Sequence, residues 1–263
     1  PLKVLDLFSG IGGFSLGLES TGYFETVAFC EKDEFCKKVL QKHWSQLKIY
    51  NDVRSLHDTK IQADVVTGGF PCQSFSQAGL QKGRTDDRWL WNEMFDVIKQ
   101  VRPRWVIGEN VQGIINIEEG MVLRQVQNDL DSEGFKVQCF IIPASGIGAW
   151  HNRNRVWILA CNISNSNSIR HRRGNSTRCA DEEWTFLPRE QEGGEMGSKT
   201  KRCCINKKKT WWQTESRICG VPNGVSYGVD RDRTQRIKAL GNSIVPQIVR
   251  QIGLAIMEAE NDN

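Results

Sequence analysis

Short apolar runs alternate with helical patterns along the first 160 residues of the chain. The runs that predict strands are KVLDLF, TVAFCE, ADVVTGG, RWVIGEN, KVQCFII and RVWILA. The segments between them, such as DEFCKKVLQKHW, FDVIKQV and MVLRQVQNDLDSEG, repeat apolar residues at helical spacing. Continuous apolar strands alternating with helices predict an α/β fold, a doubly wound, mostly parallel sheet with helices on both faces. Ligands of such sheets bind outside the carboxyl ends of the strands.

The pattern changes after Cys161. The segment NISNSNSIRHRRGNSTR is polar and rich in turn residues, and it follows neither the helical nor the strand period. From Arg236 the apolar helical pattern returns in IVPQIVRQIGLAIMEA, and that helix needs a core against which to bury its apolar face. We therefore expect a discontinuous large domain, 1–161 plus 236–263, with a small module over 162–235.

Charge is concentrated in this middle module. The whole chain of 263 residues has a formal net charge of only +4, but 162–220 holds 12 Lys and Arg against 7 Asp and Glu. A basic segment on a near-neutral body favours a polyanion such as nucleic acid, and a merely solvated basic face explains the same charge.

Cysteine usage and hydropathy point to a reduced, soluble chain. The nine cysteines form neither a C-x-x-C pair nor a set with His at metal-ligand spacing, which predicts reduced thiols and no structural metal. We see no signal peptide and no apolar run near 18 residues, so we expect a cytoplasmic protein without a membrane partner.

The segment DLFSGIGGF, residues 6–14, reads as a strand, a glycine turn and the start of a helix. This arrangement brings backbone N–H groups close to a ligand. Gly10 and Gly12 match the first two glycines of a dinucleotide fingerprint, but Ser15 stands in place of the third, so the signal for NAD is weak. Phe8 offers a flat apolar surface suited to stacking on a base.

Two acidic residues follow the next predicted strands. Glu31 ends the second strand about 20 residues after the glycine turn, where an acidic side chain accepts hydrogen bonds from ribose hydroxyls. Asp52 could receive an adenine amino group in the same way. Taken alone, Glu31 is equally well explained as a solvated strand end, and the adjoining glycine turn favours ribose binding.

A cysteine occupies an unusual place in DVVTGGFPCQSFSQAG, residues 64–79. Cys72 follows Pro71 in a loop of small and polar residues at the carboxyl end of a predicted strand, whereas a cysteine that only fills core space belongs inside an apolar run. Glu109 likewise ends the strand RWVIGEN, and Arg153 and Arg155 precede the strand VWILA with side chains expected on one face. Edge-strand charges are an alternative interpretation of the two arginines.

Several motifs now occur in one order: DLFSGIGGF, Glu31 with Asp33, GGFPCQSFS, GENV, the R-x-R of Arg153 and Arg155, and LGNSIVP. In these motifs the chain resembles DNA (cytosine-5)-methyltransferases of the bacterial or phage restriction–modification type. The resemblance implies a Rossmann-like, S-adenosylmethionine-dependent large domain and a small inserted target-recognition domain. It departs from the family pattern at His151, where Gln is usual, and at Lys32, where an aromatic residue is common.

The resemblance also implies roles for single residues. The Cys72 thiolate would add to carbon 6 of a flipped cytosine, in a loop whose positive field Arg84 and Arg88 could provide. Glu109 would hydrogen-bond ring nitrogen 3, and Arg155 would contact the base near its carbonyl. The fourth catalytic candidate, Arg153, would order neighbouring structure or a phosphate.

The implied cofactor is S-adenosyl-L-methionine, with S-adenosylhomocysteine as product. The residues expected to bind it are Phe8, Ser9, Gly10, Ile11, Gly12, Gly13, Glu31, Lys32, Asp52, Val53, Pro71, Asn242 and Ser243. No residue is expected to bind a metal.

The expected partner is double-stranded DNA. We expect the protein to act as a monomer associated with the nucleoid, and a cognate restriction endonuclease would act separately. Two alternatives stay open. A tRNA cytosine-5 methyltransferase on the same scaffold would carry Cys-Phe-Thr in the ENV region, where this chain reads IINIEEG. A catalytically silent DNA-binding homologue would not need Cys72, Glu109 and the glycine turn intact.

Overall fold

The computed structural model describes residues 1–56, 59–71, 90–149, 151–162 and 232–261. The strands are β1 Leu2–Leu7, β2 Phe24–Cys30, β3 Lys48–Tyr50, β4 Val65–Gly68, β5 Trp105–Val111, β6 Phe135–Pro143 and β7 Asn154–Asn162. The α-helices are α1 Gly13–Glu19, α2 Glu34–His43, α3 Trp91–Val101, α4 Met121–Ser132, α5 Arg233–Asn242 and α6 Pro246–Asn261. The predicted recognition module, 162–235, lies almost entirely outside these residues and stays a prediction.

The strands form one sheet in the order β3-β2-β1-β4-β5-β7-β6. The pairs from β3 to β5 are parallel, whereas β7 runs antiparallel to both β5 and β6. The chain order reverses at β1, with β2 on one side and β4 on the other, so the loops after β1 and β4 diverge at a topological switch point. The prediction of a doubly wound, mostly parallel α/β sheet is confirmed.

Alternate residues of the strands enter two separate cores, one on each face of the sheet. On one face, Leu5 and Val66 pack with Trp91 and Met94 of α3 and with Leu130 of α4. On the other, the buried side chains are Val4, Val65, Ile107 and Trp157 from the sheet, Phe14 and Leu18 from α1, and Ile248, Val249 and Ile252 from α6. Both faces are covered, which explains why the strands read as nearly continuous apolar runs.

Helices α1 and α6 pack closely because glycines face the contact. A Cβ built on Gly17 would lie 2.5 Å from the Pro246 carbonyl oxygen and 2.6 Å from the Cβ of Val249. A Cβ built on Gly253 would lie 3.0 Å from Cδ2 of Leu18. The chain's last helix is therefore packed against its first, and the segment that joins α5 to α6 is held at the carboxyl edge of the sheet. Among the described residues, no helix is both long and apolar enough to cross a membrane.

Candidate active site

A cleft of about 800 Å³ opens at the carboxyl ends of the parallel strands. Its walls come from the loops after β1, β2, β4 and β5, from the segment before β7 and from α5. The predicted site residues that line it are Phe8, Gly10, Glu31, Lys32, Asp52, Val53, Pro71, Glu109, Arg153, Arg155 and Asn242. The structure thus brings eight of the thirteen predicted cofactor residues and the described catalytic candidates into one cavity.

The remaining predicted residues form two groups, those outside the described residues and those that do not line the cleft. Cys72, Arg84 and Arg88 fall outside the described residues, although Pro71, the neighbour of Cys72, lines the cleft. The cofactor candidates that do not line the cleft are Ser9, Ile11, Gly12, Gly13 and Ser243. Ser9 is buried behind the turn, where its Oγ donates to the carbonyl oxygen of Asp6 at 2.6 Å.

The glycine turn between β1 and α1 uses left-handed backbone conformations, with φ of 51° at Phe8, 53° at Gly10 and 86° at Gly12. Its two central glycines serve different needs. A Cβ built on Gly12 would lie 2.7 Å from the ring of Trp44, so Gly12 is required by packing. A Cβ built on Gly10 meets no described heavy atom within 4 Å and would face the open cleft.

Glu31 fixes the turn from the end of β2. Its Oε2 accepts the Gly10 N–H at 2.6 Å and its Oε1 accepts the Asp33 N–H at 2.7 Å. Asp33 in turn caps α2 by accepting the N–H groups of Phe35 and Cys36, and these hydrogen bonds lower the pKa of Asp33. A carboxylate held by two backbone donors has a defined orientation into the cleft, as a ribose-binding acceptor requires.

Asp52 and Val53 lie on the same wall, after β3. The Asp52 carboxylate accepts the Arg54 N–H at 2.9 Å, which orients it at the start of a short 3₁₀ turn, Val53–Leu56. Val53 is buried and offers apolar surface beside that carboxylate. This wall therefore combines a polar acceptor with an apolar floor, next to the turn that carries Phe8.

Asp6 was missed as a site residue from the sequence. It is fully buried at the carboxyl end of β1, where its two carboxylate oxygens accept the hydroxyls of Ser15 at 2.8 Å and Thr67 at 2.9 Å. Burial raises the pKa of Asp6 to about 7, although these hydrogen bonds lower it. Asp6 therefore joins the glycine turn to β4, the strand that leads to Pro71. The signal was a carboxylate inside an apolar run, and Ser15 departs from the glycine pattern because it serves this bond.

Glu109 and Arg155 form an ion pair at the other end of the cleft. Glu109 is at the end of β5 and is only 9% exposed, and its Oε1 lies 2.9 Å from the Nε of Arg155. Burial raises the pKa of the Glu109 carboxyl, and the charges of Arg155 and Arg153 oppose that rise. A buried carboxyl with a raised pKa is suited to donating a hydrogen bond or a proton near neutral pH.

Asn110, next to Glu109, holds the backbone of the loop after β4. Its Nδ2 donates to the Phe70 carbonyl oxygen at 3.0 Å, and its Oδ1 accepts the Val111 N–H at 2.9 Å. The Phe70 ring packs against Trp91, with 5.2 Å between ring centroids. Both the carbonyl group and the side chain of Phe70 are therefore held in place immediately before Pro71.

Arg153 lies just before β7 and has a positive φ of 24°. Its Nη1 donates to the Gly241 carbonyl oxygen at 2.7 Å and its Nη2 to the Ser243 carbonyl oxygen at 3.0 Å. Burial and the neighbouring Arg155 lower the pKa of Arg153. Arg155 thus contacts a carboxylate, whereas its neighbour Arg153 contacts the backbone between α5 and α6.

The cleft offers two kinds of chemistry within one cavity. One end has an aromatic ring, backbone N–H groups and oriented carboxylates, which suit a nucleoside. The other has a carboxyl with a raised pKa beside a guanidinium, which suits a polar heterocycle. Among the described residues, no group of three or more His, Cys, Asp or Glu side chains could hold a metal ion.

Comparisons with known proteins identify similar sequences and folds. The family model described as C-5 cytosine-specific DNA methylase matches residues 2–216. The Bacillus subtilis type II methyltransferase M2.BsuMI is 35% identical over 164 residues, which are 60% of this chain and 42% of the relative. The type II methyltransferase M.Bsp6I of Bacillus sp. strain RFL6 is 33% identical over 162 residues, 60% of this chain and 51% of the relative. The chain thus spans about half or less of these curated relatives.

Solved structures share the fold. A prophage-encoded E. coli protein described as a DNA modification methyltransferase matches with a TM-score of 0.52 and 25% identity, over 65% of this chain and 49% of that protein. A mutant of Spodoptera frugiperda DNMT2 matches with a TM-score of 0.52 and 23% identity, over 67% of this chain and 54% of that protein. The second likeness is one of fold alone.

Proposed function

The chain belongs to the C-5 cytosine-specific DNA methylase family, and from this premise we propose that it transfers a methyl group from S-adenosylmethionine to carbon 5 of cytosine in duplex DNA. The observation that carries the proposal is one cleft shared by the glycine turn with Glu31 and by the pair of Glu109 and Arg155. The first set suits a nucleoside cofactor and the second a cytosine ring.

The residues of the cleft fit this cofactor, which would supply an electrophilic methyl group. Phe8 offers its ring to the adenine, Glu31 offers an oriented carboxylate to the ribose hydroxyls, and Asp52 accepts from the adenine amino group. The open space at Gly10 lets the backbone approach a ligand closely. The other proposed contacts lie along the same walls: Lys32, Val53, Pro71 and Asn242.

Five proposed cofactor residues act through the backbone that they shape. Ser9, Ile11, Gly12 and Gly13 belong to the glycine turn and the first residue of α1, and Ser243 lies in the joint between α5 and α6. A Cβ on Gly13 would lie 2.8 Å from the Ile244 carbonyl oxygen, so the turn and the joint pack against each other.

Cys72 is the proposed nucleophile. Carbon 5 of cytosine is a poor nucleophile, and addition of a thiolate to carbon 6 places electron density on carbon 5. The sulfur–carbon bond forms first. Carbon 5 then takes the methyl group, whose bond to the sulfonium sulfur breaks to leave S-adenosylhomocysteine. A water relay or a side chain takes the carbon 5 proton, and the bond between the cysteine sulfur and carbon 6 breaks to restore the thiolate. Support for this placement comes from Pro71, which lines the cleft and follows the Phe70 carbonyl held by Asn110.

Glu109 would assist this addition from the opposite side of the ring. As the thiolate adds, negative charge develops on ring nitrogen 3, and a protonated carboxyl can donate a hydrogen bond to it. The raised pKa of Glu109 favours the protonated form, and Arg155 limits that rise so that the carboxyl can also release the proton. Arg155, whose Nε pairs with Glu109, would contact the cytosine near its carbonyl oxygen through the rest of its guanidinium.

The substrate cytosine must leave the duplex to reach this cleft, because carbons 5 and 6 are stacked inside a helix. We propose that the basic module, 162–235, reads the target sequence in duplex DNA, with Arg and Lys on phosphates. A cognate endonuclease would act as a separate protein, and the methyltransferase would act as a monomer.

The test is transfer of tritium from methyl-labelled S-adenosylmethionine to DNA or tRNA, followed by bisulfite sequencing of DNA from cells that express the protein. The proposal expects label in DNA and protected cytosines within one short sequence. Label in tRNA alone would assign the chain to the RNA-acting alternative. Binding of DNA without transfer to either nucleic acid would identify the silent homologue.

A further inference from the structure

The side chain of Arg153 joins two distant parts of the chain. Its guanidinium donates to the carbonyl oxygens of Gly241 and Ser243, at 2.7 Å and 3.0 Å. These carbonyls are at the end of α5, where C=O groups lack partners within the helix and carry the negative end of its dipole. Arg153 therefore caps α5 from the position just before β7, the strand that carries Arg155.

The backbone of Arg153 is strained. A φ of 24° lies outside the regions that residues other than glycine adopt readily. Such a conformation is unfavourable and persists where surrounding contacts fix it. The two hydrogen bonds of the guanidinium to α5 and its joint are contacts of this kind.

Among the residues that the structure describes, helix α5 has few buried side chains, so the cap at its carboxyl end matters for its position. Its buried residue is Ala239, and Lys238 and Asn242 line the cleft. At the opposite wall, Lys238 Nζ lies 4.0 Å from Asp33 Oδ2, with both side chains largely exposed. An exposed ion pair of this length stabilises little. The two hydrogen bonds of Arg153 therefore help to set the position of α5 at the cofactor end of the cleft.

We propose that Arg153 is a positioning residue for cofactor binding: its guanidinium holds the carboxyl end of α5 so that Lys238 and Asn242 face the cofactor. The inference rests on the proposed function of the cleft. It assigns the two neighbouring arginines different tasks, since Arg155 pairs with Glu109 at the reacting base while Arg153 acts through α5.

Only a planar fork meets this geometry. Two carbonyl oxygens are bound by two different nitrogens of one guanidinium, and a lysine ammonium is a point donor on a flexible stem. Arg153→Lys therefore keeps the charge and loses the fork. Arg153→Gly removes the whole side chain, and because glycine adopts a positive φ without strain, the variant loses the guanidinium without adding backbone strain.

The experiment measures initial rates of methyl transfer with S-adenosylmethionine varied at saturating DNA. We expect the KM for S-adenosylmethionine to rise about tenfold in Arg153→Lys and further in Arg153→Gly, with kcat changed by less than about twofold. Arg155→Lys should instead lower kcat. The matched control is Arg124→Lys on the exposed side of α4, which should change neither constant. An unchanged KM in Arg153→Gly, or a fall in kcat alone, overturns the proposal.

A second measurement separates this inference from the proposed function. Hydrogen exchange of the amides of 240–248 is followed without any ligand, in the native chain, Arg153→Gly and Arg124→Lys. Faster exchange in Arg153→Gly alone supports the cap whether or not the chain transfers methyl groups, and equal exchange in all three overturns it. Failure of the native chain to methylate any nucleic acid would refute only the proposed function.

Discussion

Glu109 Oε1 and Arg155 Nε lie 2.9 Å apart on two antiparallel strands. In the register of β5 and β7, Glu109 is opposite Trp157 and Val111 is opposite Arg155, so the arginine reaches diagonally back toward the carboxylate. The pair thus joins Glu109, the predicted proton donor, to Arg155, the residue predicted to contact the cytosine ring. Its electrostatics give the first prediction.

Replacing Arg155 by Met should raise the pKa of Glu109 further, because the charge that opposes the effect of burial is removed. The protonated form of Glu109 is the one that assists addition, so the loss of activity at high pH should move to higher pH. The rate of methyl transfer should also fall, because the contact of Arg155 with the cytosine ring is lost. The measurement is the pH dependence of single-turnover methyl transfer. A midpoint that stays in place or moves down would contradict the assignment.

Asp6 should make the folded protein less stable as the pH rises. Its pKa is about 7 in the folded state, above the ordinary value of 3.8, so the folded state binds the proton more tightly than the unfolded state. The stability from Asp6 is complete below about pH 4 and is lost as the pH rises through 7. The measurement is the free energy of unfolding in urea at pH 4 and at pH 8. Its decrease between these two pH values should be smaller in Asp6→Asn than in the native chain, by about 2–4 kcal/mol.

Asp33 provides a control of opposite sign. Its pKa is lowered by the backbone hydrogen bonds at the start of α2, so its contribution is present at neutral pH and is lost as the pH falls through the lowered pKa. Asp33→Asn should therefore make the unfolding free energy less sensitive to acid. If Asp6→Asn and Asp33→Asn changed the pH dependence in the same direction, the Asp6 interpretation would be wrong.

Gly10 and Gly17 should respond differently to alanine. In Gly10→Ala the new methyl group points into the cleft, and the strained φ costs about 1–2 kcal/mol, so binding of S-adenosylmethionine should weaken several-fold with a modest fall in Tm. In Gly17→Ala the methyl group would meet Pro246 and Val249, so overpacking should lower stability by about 1–3 kcal/mol. Calorimetric titration and thermal unfolding of both variants measure the two effects.

Cys72 should differ from the described cysteines in reactivity. Burial raises the thiol pKa to about 12 in Cys30 and Cys36 and to about 11 in Cys139, so these thiols should alkylate slowly at pH 7.5. We expect iodoacetamide to modify the peptide of Cys72 faster, as mass spectrometry would show.

The paired activity test uses Cys72→Ser, which should abolish methyl transfer, and Cys139→Ser on β6 as its matched control, which should retain it. Because Cys139 lies outside the cleft and contacts Gln127, replacing it should leave the rate of methyl transfer unchanged. Transfer that survives in Cys72→Ser would remove this residue from the mechanism.

The fold could be predicted because its strands are buried on both sides. ADVVTGG and RWVIGEN are apolar without alternation, which only a sheet covered on both faces permits. The direction of β7 was not available in this way, because its apolar run would read the same in a parallel and in an antiparallel pair. The antiparallel entry of β7 is set by the short connection from β6, Ala144 to Arg153.

The site was predictable where residues adjoin in sequence and not where they meet only in space. The glycine turn, Glu31 and Glu109 could be placed from the strand ends that precede them. The bond between Ser15 and Asp6 escaped because Ser15 was weighed only as a departure from a glycine pattern. The carbonyl partners of Arg153 are about 90 residues away, and no local pattern records such a contact.

Packing of α6 against α1 also has a consequence for biosynthesis. The apolar face formed by Val4, Phe14 and Ile107 is completed by Ile248 and Val249, which are translated about 90 residues after β7. At roughly 5–20 residues per second, the ribosome leaves this face without its covering helix for on the order of 10 seconds. The nascent chain therefore presents a hydrophobic surface suited to chaperones during that interval, and this face is covered only after α6 has left the ribosome.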